Sequence, residues 1–376
     1  MNPREIAHHR LVNQQIGFPR ATTPAEVVAG LGAMQAQDYL SALWAIGSRL
    51  PGTTEAQIER ALAERLIVRT WPMRGTLHFV AAADARWMLE LLAPRSIAGS
   101  TRRSQQLELD DAVFARSREL FTHALEGDRQ LTRDAMMAVL EQAGVSTAGQ
   151  RGYHILWRLA QEGLLCFGAR SGKQPTFALL DEWVPHAPRL ARDAALAELA
   201  RRYFTGHGPA TLQDFIWWTG LKAADAKAGI ESAASQLSRQ TLAGTTYWMP
   251  HDAAVSPGSP GSPGSPGSPP PAHLSPAFDE YLLGYRDRDA VLDPLHAQKI
   301  VPGSNGVFLP TILVDGRVVG TWKRSLKKKK VVIAPIPFGP LKKTATRAFA
   351  AAAERYGQFL GMPVEVLDEA EAGPAR

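Results

Sequence analysis

The chain has a single cysteine, Cys166, so no intramolecular disulfide can form and zinc sites built on several cysteines are excluded. Cys166 stands in the apolar run Leu164-Leu165-Cys166-Phe167, which predicts a buried core thiol rather than a nucleophile. HExxH, GxGxxG and GxSxG are all missing, and Gly168 to Lys173 has the wrong spacing for a phosphate-binding loop. Neither a metal nor a nucleotide cofactor is expected. There is no uninterrupted apolar stretch of about 18 residues, so no membrane span is expected. The charged start, Met1 to Arg10, is not followed by an apolar run of signal length, which predicts a cytoplasmic protein, nucleoid-associated when it is on DNA. Lysine is missing from a long stretch too: the first one is Lys173.

What is present points to a polyanionic partner. The 376 residues carry 42 Lys and Arg against 36 Asp and Glu, a formal net charge of +6. A surplus of this sign fits nucleic acid, although a solvated basic surface gives the same count. Hydrophobic residues make up 45%, enough to give each of several modules a core.

Ser256 to Pro271 repeats Ser-Pro-Gly and ends in prolines. It has no apolar side chain to bury, and it predicts a disordered linker, set at 253–273. Before it, one pattern recurs at domain scale. The clearest copy, 106–188, has predicted helices at Asp111 to Leu125, from the cap Thr132 through Leu140, and at Gly149 to Glu162. Strands at Leu164 to Phe167 and Thr176 to Leu180 follow. Three helices and a two-stranded hairpin make a winged helix. The copy at 189–252 has helices at Ala194 to Tyr203, from the cap Thr211 through Trp218 to the stop Gly220, and at Ala223 to Ala234. Its hairpin is Leu237 to Leu242 with Thr245 to Met249. The copy at 1–105 is less regular. Thr23-Pro24 opens a helix through Met34, Thr54 to Arg65 is another, and Ile67 to Val80 is the candidate wing.

Past the linker, Gly306 to Val314 and Arg317 to Lys323 flank Asp315-Gly316, a strong hairpin signal. A strand at Lys329 to Ile336, a helix at Leu341 to Leu360 and a strand at Pro363 to Leu367 complete an α+β module at 274–376. The predicted fold is mainly α with small β wings: tandem winged-helix domains, then a small α+β, β-rich C-terminal domain.

A winged helix holds DNA with one helix in a groove and its wing on the backbone. The candidate DNA-contacting cations are Arg69 and Arg74 beside the first wing, Arg151 and Arg158 on the third helix of 106–188, and Arg170 and Lys173 on its wing. Each one singly reads as solvated charge. The run Lys327, Lys328, Lys329, Lys330 suits either phosphate contact or an edge strand protected by charge. Asp38 reads as a helix cap and His78 as a satisfied core histidine. Asp279 and Glu280 read as structural carboxylates on opposite faces of a strand. In Met34-Gln35-Ala36-Gln37-Asp38-Tyr39, two glutamines two apart sit among Leu31, Leu40, Leu43 and Trp44. Alone, they read as a polar patch at a helix end.

That segment resembles the Gln-hydrophobic-Gln motif of the AlkZ/YcaQ family of winged-helix DNA glycosylases. Arg74-Gly75-Thr76-Leu77-His78, His207-Gly208-Pro209-Ala210-Thr211 and Trp217-Trp218-Thr219-Gly220 resemble the same family. So do Phe278 to Arg286, Asn305-Gly306 and Val314 to Trp322, and the set spans nearly the whole chain in order. The resemblance implies tandem winged helices forming a basic DNA-holding surface, excision of N7-alkylated purines and, in some members, unhooking of interstrand crosslinks. It makes Gln35 and Gln37 the catalytic pair. The chemistry fits. An N7-alkylguanine is already a cation and needs no acid to leave, so a glutamine carbonyl can hold the water and face the developing positive charge. A neutral amide is no general base, so labile cationic lesions are the expected substrates. With no lysine before Lys173, the module bearing the glutamines offers no Schiff-base amine, which predicts base release without strand cleavage.

The competing reading is a winged-helix protein without catalysis, a regulator or lesion binder, which has no need of Gln-x-Gln. An enzyme acting on small molecules finds no motif. The expected partner is double-stranded DNA with alkylated bases, bound by a monomer with no obligate protein partner and no membrane.

Overall fold

The computed structural model describes residues 1–251, 272–304 and 306–367. The Ser-Pro-Gly segment, and with it the predicted linker except for its last two residues, lies outside the described residues. The described chain is helix-rich and mixed α/β, with three sheets. No helix in it is long and apolar enough to cross a membrane.

The largest sheet has six strands: β1 (Ala33–Gln35), β2 (Ile67–Met73), β3 (Thr76–Ala81), β4 (Leu131–Thr132), β5 (Leu165–Phe167) and β6 (Thr176–Leu179). Their order is β1-β3-β2-β5-β6-β4. The first two predicted hairpins are thus edge-joined, where Arg69 of β2 pairs with Phe167 of β5. Helices at Asp111–Leu125, Arg133–Gln142 and Arg151–Gln161 precede β5 and β6, and Thr132 caps the second of them. Further on, helices at Arg192–His207, Leu212–Thr219 and Ala223–Ala233 precede the isolated hairpin of β7 (Leu237–Leu242) and β8 (Thr245–Pro250). Thr211 caps the middle helix through a reciprocal box with Asp214, and Gly220 ends it in the left-handed region at φ 72°. Side-chain caps of this kind satisfy N–H groups that the helix itself leaves unpaired.

The third sheet runs β13-β12-β11-β10-β9, from Ala272–Ser275 (β9), Thr311–Val314 (β10), Arg317–Leu326 (β11), Val331–Pro337 (β12) and Val364–Val366 (β13). Asp315 and Gly316 turn the β10–β11 hairpin at φ 52° and 78°, the backbone a two-residue hairpin loop requires. The helix Lys343–Leu360 packs on this sheet.

Two predictions fail locally. The helix from Pro24 stops at Leu31, not Met34, because Gly32 takes a positive φ of 78° and Ala33 to Gln35 pair with β3 instead. Asp279 and Glu280 do not lie on a strand. Asp279 caps the short helix Glu280–Leu283 by accepting the Tyr281 N–H at 2.9 Å.

The hydrophobic cores cross the sequence. One packs Val28, Leu43 and Trp44 against Leu274, Trp322, Tyr356 and Phe359. Another packs Leu11 of the first helix, Pro3–Asn13, against Tyr281, Leu283 and Leu313. These cores press the start of the chain onto the segment around Glu280, which puts the glutamine strand beside it.

Candidate active site

Four contacts fix the chain from Gln35 to Gln37. The Gln35 N–H donates to Glu280 Oε1 at 3.0 Å. The Ala36 N–H donates to the Leu77 carbonyl at 2.7 Å, continuing the β1–β3 pairing in which Gln35 faces His78. The Ala36 carbonyl accepts from Arg69 Nη2 at 2.7 Å and Nε at 3.2 Å. The Gln37 side-chain carbonyl accepts the Leu77 N–H at 3.3 Å. Asp38, exposed, caps the next helix by accepting from Ser41 N–H at 2.9 Å.

Gln35 is buried and lines a cleft of about 520 Å³ together with Arg74, Thr76, Trp217, Leu283, Arg288 and Phe308, among others. Gln37 is exposed and lies on a bend beyond the end of β1, outside that lining. The two glutamines are therefore adjacent but not equivalent. Across the cleft, Trp217 is 45% exposed, with its indole N–H held by the Leu283 carbonyl at 3.1 Å. Arg288 lies over the rings of Trp217 and Phe308 at 5.6 and 4.9 Å. Burial lowers the Arg288 guanidinium to about 10, which leaves it charged at neutral pH.

Behind Gln35 lies a buried polar layer. The Glu280 carboxylate, 1% exposed, also accepts from Trp218 Nε1 at 2.8 Å and meets His207 Nε2 at 3.4 Å. Burial opposes its ionisation, but the His207 contact and the Gln35 N–H outweigh it and hold the carboxyl below its ordinary range. Next to it, Asp279 takes a two-pronged ion pair from the fully buried Arg49 at 2.8 and 2.9 Å. Arg49 also donates to Gln14, and Gln14 to Tyr285. His78 is buried, with Nδ1 on the Thr76 carbonyl at 2.9 Å. Burial, and secondarily Arg74, push it down to about 3, so it is neutral. Burial also pushes the Cys166 thiol up, and that side chain is a core residue.

The other sequence-predicted cations occupy different settings. Arg74 lines the cleft, donates to the Trp217 carbonyl at 3.2 Å and has its pKa lowered by burial, against the pull of Glu280. Arg69 is turned onto Ala36 and packs near the rings of Tyr39 and Phe167. Arg170 bonds Glu59 at 2.9 Å and lies over Tyr39, in a second pocket that the exposed Lys173 also lines. Arg151 ties down the carbonyls of Ser146, Leu107 and Glu108, and Arg158 pairs with Glu162 over the Phe114 ring. Lys327 to Lys330 form the exposed tip of the β11–β12 hairpin, closed by the Lys327 N–H on the Lys330 carbonyl at 2.9 Å; Lys330 also pairs with Glu365. Of the predicted residues, only Gln35 and Arg74 meet in the cleft.

Sequence reasoning missed Glu280, Trp217 and Arg288. Glu280 and Trp217 stand in segments that carried the family resemblance, and those segments were the available signal. The cleft offers the Gln35 side chain on a backbone fixed by Glu280 and Leu77, two guanidinium groups and an aromatic face. The Glu280 carboxylate sits behind that wall rather than in it. Such a site can position a water and stabilise charge, but among the described residues its lining presents no carboxylate or histidine to act as a general base.

A helix-rich, mixed α/β fold with a cleft lined by Gln35, Arg74 and Arg288 suits a polyanionic ligand. The chain belongs to the AlkZ-like DNA glycosylase family, which it matches over residues 28–359. It is 25% identical over 357 residues to an interstrand DNA cross-link repair glycosylase of Streptomyces sahachiroi, covering 89% of this chain and 90% of that protein. The solved structure of the Streptomyces sahachiroi DNA glycosylase AlkZ has the same fold, with a TM-score of 0.77 at 22% identity over 98% of this chain and 100% of that one. The chain is therefore a DNA glycosylase with DNA as its substrate, and the reading as a binder without catalysis is set aside.

Proposed function

We propose that this glycosylase hydrolyses the N-glycosidic bond of N7-alkylated purines in double-stranded DNA, with Gln35 as the principal catalytic residue and Gln37 as its partner. The observation that carries this reading is the Gln35 side chain in the cleft wall, on a backbone pinned by Glu280, Leu77 and Arg69. The Gln35 carbonyl accepts from the attacking water and faces the oxocarbenium-like sugar. The lesion's own charge makes the base a good leaving group, so neutral bases are spared. The exposed Gln37, tied to Leu77, shapes the cleft shoulder.

Interstrand crosslinks fall within the proposed range, since the Streptomyces sahachiroi relative is named for cross-link repair. DNA is held by tandem winged-helix modules at 1–105, 106–188 and 189–252, joined through 253–273 to an α+β domain at 274–376. In this reading the protein acts as a monomer. The described cleft lining includes no lysine, which supports base release without strand cleavage.

A duplex bearing one N7-methylguanine, incubated with the protein and then treated with alkali, tests both points. The expected result is cleavage at the lesion above the spontaneous rate, and none before alkali. Nicking without alkali would refute the monofunctional assignment, and no excess cleavage would refute the substrate class.

A further inference from the structure

The least expected group near the site is the Glu280 carboxylate. It is almost wholly buried, and no lysine or arginine pairs with it among the described residues. Burying a charge is costly unless hydrogen bonds replace its water. Here they come from three separated segments: the Gln35 N–H on one oxygen, and Trp218 Nε1 and His207 Nε2 on the other. The Gln35 and Trp218 groups can only donate. An ionised carboxylate accepts at both oxygens, whereas a glutamine of the same shape would turn an NH₂ toward a donor. Convergence of this kind selects for the charge and not merely for the shape. Asp279, locked to Arg49, fixes the turn that presents Glu280.

We infer that Glu280 is a positioning residue for base excision: through the Gln35 N–H it sets where the Gln35 side chain meets the reacting sugar. The inference rests on Gln35 being catalytic. Shifting Gln35 would break a charge-assisted bond in a buried setting, which is stronger than a neutral one. Misplacement by about 1 Å costs on the order of 100-fold in rate.

The test is a mutant cycle read by single-turnover release of N7-methylguanine, with duplex affinity measured alongside. Glu280→Gln is expected to slow excision at least about tenfold while Kd for the duplex stays within about twofold, a transition-state effect without a binding effect. In a Gln35→Ala background the same change should add almost nothing, because a residue acting through Gln35 has nothing left to position. The Gln35 amide proton resonance should also move in Glu280→Gln, whatever the activity. If Glu280→Gln does not fold, Glu280→Asp, which keeps the charge but withdraws it by one methylene, is run through the same cycle. Full activity in the single variant, an equal loss in both backgrounds, or an unmoved Gln35 amide overturns the inference. A wild-type protein that releases no N7-methylguanine instead refutes the proposed substrate, and the amide resonance still decides whether Glu280 holds Gln35.

Discussion

In the proposed mechanism the neutral Gln35 amide must be held still, and the bonds to the backbone around Gln35 serve that end. Arg69 shows this most directly. Two of its nitrogens converge on the Ala36 carbonyl, between the two glutamines. Burial lowers the guanidinium to about 10, and it remains charged at neutral pH. Arg69→Ala should leave that carbonyl without its partner and destabilise the fold by about 1–3 kcal/mol, the cost of a buried acceptor left unpaired. Excision should slow several-fold. Denaturant melts and single-turnover rates would check this, and a variant with unchanged rate would show that Arg69 serves the fold alone. The glutamine pair was legible as a motif, but its setting was not. Nothing local announces that Gln35 bonds a carboxylate 245 residues away, since helix and strand periodicity report only neighbours.

At the scale of elements, local chemistry read well where it was self-contained. Thr132, Thr211 and Gly220 mark helix ends because capping and left-handed backbone are local properties, and Asp315-Gly316 marks a hairpin for the same reason. The reading failed where tertiary pairing decided. Met34 continues an apolar helical pattern but is claimed by β3, opposite Phe79. The sheet joint at Arg69 and Phe167 has no sequence signature at all. The four-lysine hairpin tip is a separate element with its own test. Replacing Lys327 to Lys330 by alanine should weaken duplex binding and flatten its salt dependence, by about 0.9 in log–log slope for each phosphate no longer neutralised. Binding measured from low to moderate salt would show this, and an unchanged slope would leave the lysines as protection of a strand edge.

At the scale of the whole molecule, the cores that join the first helix and the glutamine strand to the far end of the chain make site geometry depend on global folding. Two histidines tie that folding to pH. Burial, with nearby arginines adding to it, depresses His78 from 6.5 to about 3 and His273 from 6.5 to about 4. Below pH 6.5 the unfolded chain binds protons that the folded one refuses, so stability is fully present above that pH and falls as pH drops toward 4. Thermal melting followed from pH 7.5 to 4.5 should show a falling Tm, steepest below about 6.5. A Tm constant over that range would contradict the neutral, buried state of these rings.

The glutamine mechanism itself is most directly tested by the single-turnover rate of N7-methylguanine release for the wild-type protein and Gln35→Ala, with duplex Kd measured for both. The expected result is a loss on the order of 100-fold or more in rate, the scale for removing a group that stabilises developing charge, with Kd essentially unchanged. A Gln35→Ala protein that excises as fast as wild type would contradict the assignment and move the chemistry elsewhere in the cleft.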